Sequence, residues 1–576
     1  MRVTRSAAVL AGLSLLASSA IGIPNAGAKT KPIGAHVTMA LNQTLAGWNV
    51  QTSSANQFVL AEILNQVWPS PFIVNNNAAL VRDANIVSSA SATTVGGRQV
   101  LTYVINPKAV WSDGVKLTAD DFIYTYQANS GDSSFKDKGN KTYDSAGTTG
   151  YNQIESVVGS GVSAKKCGGS AADRTKGLCP NGTTVTVTML AGKPFPDWKT
   201  LFGLVPAHVA RKVGFNTGFN ANPVKTVVSA GPYIIKSYDA ANNNVIETVN
   251  PKWWGAKPKT PTIVFQNLKD DTQGVAGVAI GDYNVFQPVS TSLSMQQQAA
   301  TQPSVDYSLV PGLQFEHLDF NEQNPDLAKR LVRRAIALGT DRPGIIAATV
   351  GQVVPSTKPL GNRMFVPGQD GYVDNGAGYN VVHVQAAKDD LDAAGYFYNS
   401  GDGYYHSGSS SGPVLTFEMY STTAAIRGQT MQLFQAQMKD IGIKINIHQQ
   451  AGSKLFGDTL PNQKYDIIEF AWVASVAVSA NQAIYCSYTN TADCSSNNIN
   501  YANPAVDNLL FQGAKETTDT AEAADYNAAD QILWTDMATL PLYQKPVFVA
   551  YTTGMKSVLA NPTSAGITWN AQNWSL

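Results

Sequence analysis

The sequence predicts an α/β protein, and the clearest signal for this class lies in residues 413–450. Apolar and polar side chains alternate over 415–420, which is typical of a half-buried strand. Residues 424–440 carry apolar side chains at helical spacing, and isoleucines alternate over 441–447. A strand, a helix and a strand of these lengths imply two parallel strands joined by a right-handed crossover. A further buried strand is expected over 465–473.

Residues 315–351 predict a second unit of the same class, a strand followed by two helices. Asn324 is expected to be the N-cap of the first helix, with Pro325 at its first position. Apolar residues at helical spacing then continue to a break at Gly339. The second helix is expected to end at Gly351, where a C-cap glycine belongs.

A capping motif marks one helix start in the first half of the chain. Thr118, with Asp121 three residues later, predicts a capping box ahead of an apolar helical face. Strands are expected over 36–41 and 97–106, and an amphipathic helix is expected over 55–68.

An irregular surface insertion is expected over 129–182, which is rich in Gly, Ser, Asp and Lys. Strand alternation resumes over 183–190. A helix over 522–537 and a strand over 547–551 are expected near the end of the sequence.

Residues 1–28 predict a signal peptide for export. A positively charged start precedes an apolar run over 7–23 and a small-x-small cleavage pattern. The apolar run is shorter than the ~20 residues of a membrane span, although an uncleaved anchor is the alternative. No cysteine precedes Cys167, so no lipid-anchor cysteine is expected. We therefore expect the protein in the periplasm, in the cell wall or secreted.

Charge composition argues against binding to nucleic acid or to an anionic membrane. The 41 basic and 41 acidic residues cancel, so the chain has no global field that would attract such partners. No nucleic-acid partner is expected.

The four cysteines form two close pairs in the sequence, Cys167 with Cys179 and Cys486 with Cys494. An exported chain meets an oxidising compartment, where disulfides form. Three connectivities are open to four cysteines, and the close spacing favours 167–179 and 486–494. A zinc site is the alternative, but the sequence has no CxxC pair.

No motif of catalysis, of a metal site or of a cofactor site stands out. The six histidines are scattered, and the sequence contains no HExxH, no P-loop and no GxGxxG that opens a helix. Gly408, Ser410 and Gly412 match the GxSxG of serine hydrolases, but the strand that this elbow requires does not precede them. We expect no enzyme activity and no cofactor.

Five ordered blocks carry a resemblance to a known family: WSDGVKLTADD at 111–121, GPY at 231–233, NPKWW at 250–254, VRRAIAL with DR at 332–342 and PLY at 541–543. Together they resemble the extracytoplasmic solute-binding proteins of ABC importers. The branch is the family that handles dipeptides, oligopeptides and nickel.

The resemblance implies a two-lobed periplasmic-binding-protein-like fold of type II, with a hinged ligand cleft. Residues 29–310 would form the first lobe, with an inserted subdomain around 66–185. Residues 311–544 would form the second, α/β lobe, and 545–576 would return to the first. Such a monomer would capture a small molecule or oligopeptide by lobe closure and deliver it to an ABC permease in the membrane.

The resemblance also nominates seven residues of the cleft. They are Trp48, Asn49, Phe315, His317, Tyr420, Arg427 and Trp472.

One departure from the family concerns the anchor of the ligand. Many peptide-binding members carry an Asp shortly after the strand that ends near Trp472, whereas the next acid here is Asp493. The usual ammonium anchor is therefore not expected. A neutral wall with Ser475, Ser479, Asn481 and Gln482 would suit a blocked peptide, a sugar-like head group or a glycolipid.

Two other functions stay open. The same fold could serve as a non-transport envelope protein, such as a chaperone or a regulator of cell-envelope or glycolipid assembly. A secreted hydrolase, with a site assembled from residues that form no local motif, is the second alternative.

Overall fold

The computed structural model describes residues 36–41, 43–170, 176–268, 270–288, 291–473, 476–489, 494, 496–516 and 518–575. The expected signal peptide at 1–28 lies outside the described residues. Within them, none of the helices combines the length and the apolar character that a membrane crossing requires.

The strands of the described residues, in chain order, are β1 Val37–Leu41, β2 Phe72–Val74, β3 Leu80–Arg82, β4 Val87–Val95, β5 Arg98–Ile105, β6 Ile154–Ser160, β7 Thr184–Met189, β8 Tyr233–Asp239, β9 Asn244–Val249, β10 Thr262–Asn267, β11 Val285–Phe286, β12 Val305–Phe320, β13 Tyr396–Asn399, β14 Tyr404–Ser407, β15 Thr416–Thr422, β16 Lys444–Gln450, β17 Ile467–Val473 and β18 Thr539–Thr552.

The α-helices of the described residues are α1 Phe58–Leu64, α2 Ala119–Asn129, α3 Ala207–Val213, α4 Pro223–Thr226, α5 Gly274–Ile280, α6 Leu293–Thr301, α7 Arg330–Gly339, α8 Arg342–Ala348, α9 Val384–Ala393, α10 Ala425–Asp440, α11 Gly452–Lys454, α12 Gln482–Tyr485, α13 Pro504–Gly513 and α14 Asp519–Asp536.

One sheet runs through both lobes. Its ten described strands follow the order β16-β15-β17-β12-β18-β11-β1-β10-β9-β8. The central pair, β12 and β18, is antiparallel and spans 16 and 14 residues. One half of this pair lies beside β11, and the other half lies beside β17. The chain therefore passes between the lobes twice, once along each strand of this pair.

The first lobe is built on β1, β8–β11 and a separate four-stranded sheet in the order β4-β5-β7-β6. Both parts share one hydrophobic core with the C-terminal residues. The predicted capping box is confirmed at the start of α2. One carboxylate oxygen of Asp121 accepts from the Thr118 N–H (3.0 Å) and from the Trp111 indole (3.3 Å). Its other oxygen accepts from the Ala207 N–H (3.0 Å), so Asp121 also connects α2 to the start of α3.

The second lobe contains the strand–helix–strand unit that the sequence predicts. β15 and β16 are parallel, and α10 connects them. Phe417, Met431 and Phe434 are fully buried in the core between this helix and the sheet. The predicted α/β class is confirmed here.

Both predicted disulfides are present. Cys167 and Cys179 lie 4.4 Å apart between Cα atoms and close a short loop near the end of residues 129–182. The expectation that this stretch is irregular is wrong in part, because it contains β6, which pairs with β7. Cys486 and Cys494 lie 5.5 Å apart and contribute to a smaller core of the second lobe.

The predicted start of the central helix is wrong. The helix begins at Arg330 and not at Pro325. Asn324 instead caps an isolated turn, since its side chain accepts from the backbone N–H two residues on (2.9 Å). The guanidinium of Arg333 donates to the carbonyl of Leu327 (2.6 Å), which the first helical turn would otherwise use.

The predicted C-cap role of Gly351 is also wrong. The helix before it is capped at Thr349, and Gly351 lies in the 3₁₀ turn Val350–Gln352. A side chain is excluded there for another reason. A Cβ atom at Gly351 would approach the carbonyl oxygen of Ile346 to 2.6 Å.

Two strands are longer than the sequence pattern predicts. β12 begins ten residues before Phe315, and β18 includes the PLY block at 541–543. Pro311, Gly312 and Pro546 interrupt the apolar alternation in these segments, so the pattern hides their pairing.

Candidate ligand-binding cleft

The crossing point between the lobes is a break in the β12–β18 ladder. Pro311 lies opposite Pro546, and regular pairing resumes only at Phe315 opposite Gln544. Proline has no N–H to donate, so the ladder is weakest where the two prolines face each other. The side chain of Gln544 bridges the gap by donating to the carbonyl of Gly312 (2.6 Å). This break, over 311–314 and 544–546, is the candidate hinge.

A cavity of about 70 Å³ lies beside this hinge, between the lobes. Its wall consists of neutral residues and one described charged residue, Lys545. The described wall residues are Gln43, Phe58, Gln287, Pro288, Gln314, Lys545, Pro546 and Val547. We call it the hinge cavity.

A buried ion cluster lies behind the hinge cavity. Arg427 donates to both carboxylate oxygens of Glu316 (3.1 and 3.3 Å), and Lys545 Nζ lies 3.1 Å from one of them. Burial alone would raise the pKa of Glu316, but the positive charges of Arg427 and Lys545 outweigh it and lower the pKa to about 2. Glu316 is therefore ionised at neutral pH.

A second carboxyl group of this cluster, Glu469, is fully buried. No described residue donates a hydrogen bond to either of its oxygens. The nearby hydroxyl of Thr430 donates its proton to the carbonyl of Ile426 instead (3.0 Å). Burial and the negative charge of Glu316 raise the pKa of Glu469 well above its usual value. We therefore treat Glu469 as uncharged.

An aromatic group occupies the opposite face of the same strands. His317 is fully buried and lies 4.4 Å from Phe470 and 6.0 Å from Trp472 between ring centroids. Phe315 and Trp472 also belong to one apolar cluster with Ala78 of the first lobe. Phe315, His317 and Trp472 thus lie next to one another, at a place where the lobes meet.

Tyr420 lies on the same face but away from the hinge cavity. Its ring stacks on His448 with a centroid distance of 4.7 Å. It lines a surface pocket of about 330 Å³ together with Asn324 and Asp466.

Trp48 and Asn49 lie in the core of the first lobe. The ring of Trp48 meets Tyr238 edge-on at 5.0 Å, and Asn49 donates to the carbonyl of Phe215 (2.8 Å). The structure does not bring these two residues to the hinge cavity. Their contact with a ligand stays a prediction, as does that of the other nominated residues.

A polar contact joins the first lobe to the second lobe. Asp197 accepts hydrogen bonds from the hydroxyl and from the N–H of Ser479, the latter at 3.2 Å. Glu522 lies nearby, and burial followed by the negative charges of Asp197 and Asp519 raises its pKa to about 8. Of the other neutral residues predicted for this wall, Asn481 donates to a backbone carbonyl of its own lobe (2.9 Å), and Ser475 lies outside the described residues.

Several residues of this region escaped the sequence analysis. Gln287, Gln314 and Lys545 form the wall of the hinge cavity, and the sequence has no motif that marks the two glutamines. Lys545 follows the PLY block by two positions, which is the only available signal. Within the described residues, no group of three or more His, Cys, Asp or Glu side chains could hold a metal ion.

Comparisons with known proteins agree with this architecture. Residues 89–493 match the family described as bacterial extracellular solute-binding proteins, family 5 Middle. The chain is similar to the oligopeptide-binding protein OppA of Mycobacterium tuberculosis, with 28% identity over 93% of this chain and 83% of that protein.

Solved structures share the fold. A periplasmic EDTA-binding protein, EppA, superposes with a TM-score of 0.82 at 24% identity and covers 94% of this chain and 96% of its own. The oligopeptide-binding protein AppA of Bacillus subtilis, in complex with a nonapeptide, gives a TM-score of 0.72 at 17% identity and covers 94% and 98%. At these identities the superpositions establish the two-lobed fold.

Proposed function

Because the chain belongs to the bacterial extracellular solute-binding proteins of family 5, we propose that it is the extracytoplasmic substrate-binding component of an ABC importer. It captures a peptide or a similar small solute between its lobes and delivers it to a membrane permease. The work is binding and release, so no covalent chemistry is required.

The observation that carries this proposal is the broken β12–β18 ladder between the lobes. Two strands connect the lobes, and both lose regular pairing at the prolines Pro311 and Pro546. Rotation at these points would open and close the cleft while the sheet of each lobe stays intact. A solute enclosed there would lose most of its contact with water, which is how such clefts gain affinity.

Apolar and polar contacts would come from different parts of the cleft. Phe315 and Trp472 supply an apolar wall where the lobes meet, and the amides of Gln43, Gln287 and Gln314 supply neutral polar contacts. Arg427 is bound to Glu316 and to the hydroxyl of Thr422 (3.1 Å). We therefore assign Arg427 to the support of the site, and not to direct contact with the solute.

The proposal includes the predicted domain limits and the location. The first lobe would comprise residues 29–310 and 545–576, and the second would comprise 311–544. The mature protein would act as a monomer outside the cytoplasm. The permease would recognise the closed form through surfaces of both lobes.

Native mass spectrometry of the purified mature chain, residues 29–576, tests this function. We expect a population with added mass that disappears when the protein is denatured and reappears when the released solute is added back. A chain that carries no solute, and that retains none from an equimolar mixture of four- to eight-residue peptides, would contradict the proposal.

A further inference from the structure

Another cavity, with a volume of about 370 Å³, lies within the first lobe. Its described wall residues fall in the ranges 50–86, 203–253 and 564–572, and none of them lines the hinge cavity. Because these ranges all belong to the proposed first lobe, the wall does not depend on lobe closure. Its volume lies in the range of roughly 300–1,000 Å³ that small-molecule sites occupy. We call it the first-lobe cavity.

Aromatic rings form much of the apolar wall of the first-lobe cavity. The indole N–H groups of Trp253 and Trp569 donate to the backbone carbonyls of Ala256 (2.9 Å) and Leu559 (3.0 Å), which fixes the orientation of both rings. A ligand therefore meets large, rigid apolar surfaces that lose little conformational entropy on binding. The aromatic residues of the wall are Trp68, Phe72, Trp253 and Trp569.

Three side chains of the same wall have a buried polar atom without a described partner. Gln66 is only 4% exposed, and its amide nitrogen donates to the carbonyls of Thr568 (2.9 Å) and Trp569 (3.0 Å). The side-chain oxygen of Gln66 accepts from no described residue, and the same is true of Gln572. Trp68 is only 9% exposed, and its indole N–H has no described acceptor. Buried groups of this kind are costly, so the wall has one donor and two acceptors that a ligand would satisfy.

Asp83 is the single charged residue of the described wall, which contains no Lys, Arg or His. One of its carboxylate oxygens accepts from the N–H and from the side-chain amide of Asn85, both at 2.9 Å. The other oxygen accepts from no described residue. The carboxylate disfavours an anionic ligand and leaves an acceptor for a hydroxyl group.

The unpartnered atoms decide between the neutral and the cationic ligands that an aromatic wall can bind. An ammonium ligand has no acceptor, so it would leave the N–H of Trp68 without a partner. A hydroxyl group both donates and accepts. A pyranose sugar has several hydroxyl groups around a ring whose C–H bonds form an apolar face. Such a ring can pack on the aromatic wall while its hydroxyl groups reach both the donor and the acceptors.

We propose that the first-lobe cavity binds a neutral pyranose sugar. The N–H of Trp68 donates to one sugar oxygen, and Gln66, Gln572 and Asp83 accept from its hydroxyl groups. This site is separate from the cleft and goes beyond the proposed function. Since its wall belongs to one lobe, a sugar and a captured solute bind at the same time.

The test uses the mature chain freed of bound solute and a panel of neutral disaccharides of glucose, galactose, mannose or N-acetylglucosamine. Tryptophan fluorescence and ligand-observed NMR measure binding of each sugar. A capped, uncharged dipeptide and tetramethylammonium are the comparison ligands. We expect saturable binding of at least one disaccharide, and weaker binding of both comparison ligands by a factor of about ten or more.

Two variants locate the sugar in the first-lobe cavity. Trp68→Phe retains an aromatic ring and removes the N–H, and Gln572→Met retains most of the side-chain length and removes the acceptor. Each should weaken sugar binding roughly three- to tenfold, the value of one hydrogen bond. The matched control is Gln385→Met, because Gln385 is exposed and lies outside the cavity. Should Trp68→Phe not fold, Gln572→Met still provides the test, because Gln572 is only half-buried.

Native mass spectrometry separates this site from the cleft. With a peptide retained by the chain, added disaccharide should give a species that carries both masses. A species with both masses supports the first-lobe site, whereas one-for-one displacement of the peptide would place the sugar in the cleft and overturn the inference.

The remaining outcomes also decide the proposal. If no disaccharide of the panel binds, or if a comparison ligand binds as tightly as the best sugar, the sugar site is overturned. Equal sugar binding by the native chain and both variants overturns it as well. None of these results affects the capture of peptides, which is tested separately by retention from the peptide mixture. Binding of the same sugar at the end of an immobilised glycan would support the site and assign it to a polymer, whereas binding of the free disaccharide alone would support it as a site for a soluble sugar.

Discussion

Replacing Arg427 with methionine tests whether this residue supports the site or contacts the solute. The substitution keeps most of the side-chain volume and removes two charge-assisted hydrogen bonds to Glu316 (3.1 and 3.3 Å). Breaking a buried pair from one side costs roughly 3–5 kcal/mol, because the partner charge stays buried. Lys545 remains 3.1 Å from Glu316, which places the expected loss at the lower end of this range.

The pKa of Glu316 gives a value for the whole cluster, because it combines the burial of the carboxylate with the positive charges of both Arg427 and Lys545. A decrease from the ordinary 4.5 to about 2 corresponds to about 3 kcal/mol of stability. Because the folded-state pKa is lowered, this contribution is complete above pH 4.5 and is lost as the pH falls toward 2. From the cost of breaking a buried pair from one side, the Arg427→Met variant should lose roughly 3 kcal/mol at pH 7. The difference from the native chain should shrink toward pH 2, where Glu316 becomes protonated.

Urea unfolding followed by circular dichroism measures this loss. The matched control is Arg98→Met, which breaks an exposed pair with Glu155 and should cost less than about 1 kcal/mol. A double-mutant cycle of Arg427→Met with Glu316→Gln should return a coupling energy of about 3 kcal/mol. If Arg427→Met is as mild as the control but abolishes solute binding, then Arg427 is a ligand contact and the reasoning is refuted.

Three further predictions concern the cleft and its surroundings. Trp472→Ala should weaken solute binding about tenfold in calorimetry and lower the melting temperature by only a few degrees, whereas a large fall in melting temperature with unchanged binding would make it a core residue. Glu522 has a pKa raised to about 8 beside Asp197, so the contact between the lobes, and with it the solute affinity, should weaken as pH rises from 4.5 to 8. Glu522→Gln should remove this pH dependence of solute affinity, and an unchanged pH dependence in the variant would exclude Glu522 as its cause. Joint replacement of Cys486 and Cys494 by serine should cost roughly 2–3 kcal/mol in urea unfolding, and no loss would show that this loop needs no covalent constraint.

Local patterns predicted much of the fold. Two predictions are confirmed: the capping box of Thr118 and Asp121, and the parallel strands on either side of α10. Both depend on residues that are close in the sequence, within a few positions in the first case and within one strand–helix–strand crossover in the second. The central helix was misplaced by five residues, since Asn324 satisfies a turn and the buried guanidinium of Arg333 takes a carbonyl of the expected first turn. Arg333 donates to a carbonyl in each of two separate segments, a role that its position in a basic run does not predict.

The hinge cavity could not be predicted in the same way. Glu316 and Arg427 are separated by 111 residues, and Lys545 lies still further along the chain. Lys545 reaches Glu316 because β12 pairs with β18. Arg427 reaches it because α10 follows β15, which pairs with β17, the other neighbour of β12. Proline and glycine at the hinge interrupt the alternation that would have shown this pairing.

Small-angle X-ray scattering of the mature chain, with and without its solute, tests the central claim most directly. The solute is the one released from the purified protein by denaturation, or a peptide retained from the defined mixture. Capture by lobe closure predicts that the radius of gyration falls on binding and recovers when the solute is removed. A radius that stays the same on saturation with a bound solute would contradict closure at the hinge of Pro311 and Pro546.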